Sequence, residues 1–133
     1  MIKTQKVIGA AVAALALSIS GATSASAGDW DYLGHSFFQW NSTSGSYLTK
    51  SFQSAGGYFK ICTSYGSPKA TYTIWESDPD NPDDWVGSYT LGSEACATLN
   101  VQSVVDGDNN RAELYVETRN VTVGQNESIE FWD

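Results

Sequence analysis

Glu113 and Glu117 come nearest to a catalytic pair in this sequence: two carboxylates four positions apart in an alternating run. On a strand they share a face about 13 Å apart at ~3.3 Å per residue. A glycosidic acid and its partner work at about 5–9.5 Å, so this spacing is too wide. Pairing Glu113 or Glu117 across strands with Glu130 is the alternative. A solvated outer face accounts for them more simply, because Ala112, Leu114, Val116 and Thr118 alternate with them on the inward phase.

Other catalytic chemistries have little to draw on. The single histidine, His35, lies within an expected strand and reads as a packed or half-buried structural residue. No serine sits in a nucleophile-elbow pattern, and both cysteines are expected to be oxidised, so Ser-His-Asp and Cys-His sites lack their parts. Zinc would need a second histidine or a cysteine cluster. Two acidic loops, Asp78 to Asp84 and Asp106 to Asn110, offer oxygen ligands for calcium. Asp, Asn, Gly and Pro are also what turns require, so both are read as turns, with no metal and no cofactor expected.

Aromatic content stands out: five Trp, seven Tyr and five Phe, all within residues 28–133. A core absorbs many of these, and others ordinarily cover strand ends or the disulfide. Trp75, Trp85, Tyr115 and Trp132 fall on polar phases or beside the acidic loop, which makes them the candidate binding residues. Tyr115 and Trp132 alternate with glutamates, suggesting one composite aromatic and acidic patch. Such a patch would stack on sugar rings or centre a protein interface. The segment Pro79 to Trp85, stiffened by two prolines, could serve as an insertion loop into a hydrolase.

The elements that must position these rings are short strands. Alternation marks Asp29 to Trp40, Tyr47 to Gln53, Gly57 to Thr63, Ala70 to Glu76, Trp85 to Leu91, Ala95 to Gln102, Arg111 to Arg119 and Ser128 to Trp132. Gly-, Pro-, Asn- and Asp-rich turns separate them, and residues 28–133 contain no convincing amphipathic helix. The expected fold is an all-β antiparallel β-sandwich, jelly-roll or Ig-like, of about eight strands in a single domain, residues 28–133. A small closed β-barrel is the alternative. Cys62 and Cys96 both fall on the polar phase, so their disulfide is expected over the outer side of a sheet or at a strand end.

Residues 1–27 read as a secretory signal peptide: Lys3 and Lys6, an apolar run from Val7 to Ile19, then Ala25-Ser26-Ala27. That run is too short to span a bilayer. The alanine-rich leader is of a bacterial type, and three Asn-x-Ser/Thr matches are read as chance. Residues 28–133 carry five basic against fifteen acidic side chains, a net charge of −10. Phosphate backbones and anionic membranes are therefore poor partners, and no membrane insertion is expected after cleavage.

The leading functional reading is a secreted, extracellular, non-enzymatic protein that binds a polysaccharide or another extracellular protein, the latter as a hydrolase inhibitor in one version. A structural, cell-envelope-associated or bacteriocin-like factor is the alternative. A small carboxylate-dependent hydrolase comes third.

Overall fold

The computed structural model describes residues 29–105 and 109–133. The expected leader, residues 1–27, lies outside the described residues, as do Asp106 and Asp108 of the second acidic loop. Among the described residues no helix is long and apolar enough to cross a membrane.

Among the described residues ten strands form where eight alternating runs were read. In chain order they are β1 Tyr32–Phe37, β2 Gln39–Asn41, β3 Ser46–Leu48, β4 Phe52–Ser54, β5 Tyr58–Thr63, β6 Ala70–Glu76, β7 Asp84–Leu91, β8 Cys96–Asn100, β9 Ala112–Thr118 and β10 Ser128–Trp132. The two extra strands arise because the first two runs each break. At Phe38 the chain leaves one sheet for the other, and the Phe38 ring turns into the core against Tyr72, with centroids 6.0 Å apart. At Thr49 the side-chain hydroxyl takes the Val116 N–H, so the chain departs from the ladder between β3 and β4 although both pair with β9.

The strands build two antiparallel sheets. One runs β1-β10-β5-β8; the other runs β2-β3-β9-β6-β7, with β4 also on β9. The first and last strands do meet, and reciprocal 2.9 Å bonds between Asp31 and Asp133 extend their pairing. They meet inside one sheet of a sandwich, so the barrel is not formed.

The two inner faces supply the core of the unit Asp31–Asp133. Phe59, Ile61, Ile129 and Phe131 come from the four-stranded sheet, and Tyr72, Ile74, Leu114 and Val116 from the six-stranded one. All eight are fully buried. Each such side chain contributes about 1.5–3 kcal/mol of transfer free energy. Phe52 stacks on Phe131 at 4.3 Å and joins the layers near β4. Gly34 makes that approach possible: a Cβ there would sit 2.9 Å from the Phe52 ring, and its φ of +141° belongs to glycine.

The disulfide lies where the alternation put it. Cys62 on β5 and Cys96 on β8 are directly paired, with Cα atoms 4.1 Å apart, on the face turned away from the core.

Candidate functional site

Trp75, Trp85 and Tyr115 come together on the outer face of the six-stranded sheet. Trp75 on β6 is paired across to Trp85 on β7 and to Tyr115 on β9, so three aromatic side chains occupy three neighbouring strands at about 4.8 Å spacing. Trp85 is 61 % exposed, while Trp75 and Tyr115 are half-buried.

A bulge puts Trp85 there. Along β7, Ser88 and Thr90 face outward, and strict alternation would carry Trp85 inward. The register shifts between Ile74 and Trp75, leaving Val86 as an extra residue and turning Trp85 to the solvent face. Its indole N–H then reaches Ser88 Oγ at 3.2 Å, on that same face.

Each ring is held by a polar partner. The Trp75 indole N–H donates to Glu117 Oε1 at 2.9 Å. Ser46 Oγ donates to the other carboxylate oxygen of Glu117 at 2.5 Å, and the exposed Arg119 guanidinium lies 3.4 Å from it. Glu117 is only 7 % exposed, so it is a buried acceptor and not the solvated outer residue the alternation suggested. The Tyr115 hydroxyl donates to Asp83 Oδ2 at 2.5 Å. Burial first, then that hydrogen bond and the charges of Asp83 and Glu117, push the Tyr115 phenol well above its ordinary value.

A phenol kept neutral by the fold contributes stability that is fully present below the unfolded value near pH ~10 and is lost as pH rises beyond it. Burial and the charge of Glu127 also raise the Tyr72 phenol, so spectrophotometric titration should show two tyrosines that ionise later than the exposed ones, and Tyr115→Phe should remove one of them. An unchanged titration curve in the variant would contradict the assignment.

A hydroxyl ladder flanks the rings: Thr73 Oγ1 and Ser88 Oγ lie 2.9 Å apart, and Thr71 Oγ1 and Thr90 Oγ1 3.3 Å apart. Beside the platform is a depression of about 420 Å³ lined by Thr71, Thr73, Glu117, Arg119 and Asn120.

Trp132 is elsewhere. It lies on the outer face of the four-stranded sheet, paired with Lys60 and Tyr32, so Tyr115 and Trp132 do not form a composite patch. The Tyr32 ring stands 4.9 Å from it, the Lys60 ammonium lies 5.0 Å from its ring centroid, and its buried indole N–H has no acceptor among the described residues. Trp132 reads as a packed buttress. Glu130 shares that other face and is strand-paired with His35, so it makes no carboxylate pair with Glu113 or Glu117. His35 is exposed and not packed inside; Tyr32 Oη lies 3.1 Å from its Nδ1.

The Asp78 to Asp84 loop is closed on itself. Asp78 accepts from the Asp80 N–H and from Asn81 Nδ2, and Asp83 Oδ1 accepts the Asp78 N–H. The carboxylates of Asp78 and Asp83 are thus engaged in the turn and in holding Tyr115. Among the described residues no group of three or more His, Cys, Asp or Glu side chains is placed to hold a metal ion.

Reasoning from sequence missed Ser46 and Glu117 as supports of Trp75, and the exposed Phe37, Trp40 and Tyr58. The Thr71-x-Thr73-x-Trp75 phase was the available signal for the hydroxyl ladder.

Comparison with known proteins sets this site in context. The chain is similar to the protein YndA of Bacillus subtilis (strain 168), 34% identical over 127 residues that cover 93% of this chain and 89% of that protein. Among solved structures it is similar to two mutants of CBM29-2, a family 29 carbohydrate binding module. The first has a TM-score of 0.38 and 9% identity, covering 77% of this chain and 86% of that one. The second has a TM-score of 0.32 and 10% identity, covering 77% and 76%. At those scores the likeness assigns no site and no ligand. The family described as YndA coiled coil domain matches residues 32–131, a region that is two β-sheets with, among the described residues, a single three-residue 3-10 turn, Gln102–Val104. On that match, and on the identity shared with the Bacillus subtilis protein, the chain belongs to the YndA coiled coil domain family.

Proposed function

We propose that this protein is a secreted, non-enzymatic binder of polysaccharide, and that Trp75, Trp85 and Tyr115 are its contact surface. The observation that carries the reading is the placement of those three rings on adjacent strands of one solvent-facing sheet face. Sugar rings present apolar C–H faces and a rim of hydroxyls. Indole and phenol rings bury the first, and the neighbouring Thr71, Thr73, Ser88 and Thr90 hydroxyls exchange hydrogen bonds with the second.

The arrangement favours binding over turnover. Glu117, the most buried carboxylate on this face, spends one oxygen on Trp75 and the other on Ser46 and Arg119. It works as a fixed acceptor that orients a ring. A second reading, contact with an extracellular protein through Pro79 to Trp85, is favoured by the hydrogen bonds that fix this loop, since a pre-ordered loop loses less entropy on binding.

Co-sedimentation with insoluble cellulose, chitin and starch tests the proposal. Retention on at least one, lost in Trp75→Ala and Trp85→Ala variants that still melt cooperatively, is the expected result. Equal retention of wild type and both variants, or no retention on any of the three, would overturn it.

A further inference from the structure

We propose that a second site, the groove at the corner where β1 passes into β2, binds a carboxylate-bearing sugar ring of an acidic glycan. The groove encloses about 490 Å³ and lies at the β2 edge of the six-stranded sheet, two strands beyond Tyr115. Its chemistry differs from that of the aromatic platform. Trp40 and Phe37 stand half out of the surface in it, at 50 % and 52 % exposure. Lys50 and His35 also line it, with Gln39 and Asn41 as neutral hydrogen-bonding groups.

No carboxylate among the described residues lines this groove, in a chain that carries fifteen. Among the described residues no carboxylate lies within ion-pairing distance of Lys50. Lys50 is thus the one formal charge of the described lining, and it offers an anion a partner on an acidic molecule.

The walls are braced from beneath. Trp40 is set edge-on against Tyr47, with centroids 5.2 Å apart, which fixes the plane of its indole. The Lys50 backbone is held by its N–H to Ser36 Oγ at 2.9 Å and by its carbonyl, which accepts Thr49 Oγ1 at 2.9 Å. Ser36 and Thr49 are both buried. An ordered ring plane and an ammonium in one groove recognise a ligand that carries both an apolar face and an anionic substituent. Among sugars that is a uronate, whose ring stacks on Trp40 while its carboxylate pairs with Lys50. A fixed indole lowers the ordering loss on binding.

The site stands on different residues from the polysaccharide platform, so the two are tested separately. Calorimetry on the intact chain at low salt would compare short oligomers of galacturonic, glucuronic and mannuronic acid with cellotetraose. At least one acidic oligomer should bind roughly tenfold more tightly than the neutral one, the scale of one charge-assisted hydrogen bond. Lys50→Gln should weaken it about tenfold and remove its salt dependence. Trp40→Ala should weaken it by a similar factor, and Trp75→Ala should leave it unchanged. Lys50 is exposed, so its variant will fold even if Trp40→Ala does not. No preference for any acidic oligomer would overturn the proposal. So would a preference indifferent to Lys50→Gln, or one lost with Trp75.

Discussion

Reducing the Cys62–Cys96 bridge should lower the melting temperature by roughly 15–25 °C. The bridge closes a loop across a sequence separation of 34 residues. In the chain-entropy account such a loop constrains the denatured chain by about 3–4 kcal/mol. For a domain of this length each kcal/mol moves the midpoint by about 4–8 °C. The topology adds a reason for the large effect. After β5 the chain crosses to the other sheet to make the β6–β7 pair and only then returns as β8, an edge strand that pairs with β5 alone. The disulfide spans that excursion. Differential scanning calorimetry with and without reductant, beside the Cys62→Ala/Cys96→Ala double variant, checks it. A midpoint change below about 5 °C would show that pairing with β5 holds β8 unaided.

The second large effect concerns binding. Trp75→Ala should weaken polysaccharide retention by about thirtyfold or more, because interface energy concentrates in central aromatic residues worth at least ~2 kcal/mol each. Trp75 has that central position, with Trp85 on one side and Tyr115 on the other. The conservative variant separates stacking from positioning. Trp75→Phe keeps a ring but gives up the N–H that Glu117 accepts, so it should retain part of the affinity while leaving a buried carboxylate oxygen without that donor. If Trp75→Ala and Trp75→Phe bind as wild type does, the platform is not the contact surface.

Some of this architecture was readable from residue order. The run from Arg111 to Arg119 alternates so regularly that the inward set Ala112, Leu114 and Val116 and the outward set Glu113 and Tyr115 are where period two places them. The outer position of the disulfide followed from the same parity. What parity cannot show is a change of parity. The bulge at Val86 depends on how β7 fits β6, and it decides that Trp85 stands beside Trp75. The break at Phe38 likewise depends on a core position against Tyr72 that only the folded sandwich creates, and it puts Phe38 and Trp40, two positions apart, in different environments: one is 1 % exposed, the other 50 %.

Sheet membership was the other hidden variable. Tyr115 and Trp132 sit in similar alternations with glutamate, yet β9 and β10 belong to different sheets and their outer faces point opposite ways. Glu117 shows the limit of a polarity pattern in another form. Its phase is outward, but Ser46, 71 positions away in sequence, and Trp75 on the adjacent strand cover it. A long-range hydrogen bond of that kind leaves no local trace.

The five tryptophan indole N–H resonances offer the most direct measurement of the central claim. In a nitrogen-15 NMR titration with soluble oligomers of whichever polymer retains the protein, the signals of Trp75 and Trp85 should move together and saturate at one ligand concentration, while that of Trp132, sheltered between Tyr32 and Lys60, stays in place. A titration in which Trp132 shifts while Trp75 and Trp85 remain still would contradict the account.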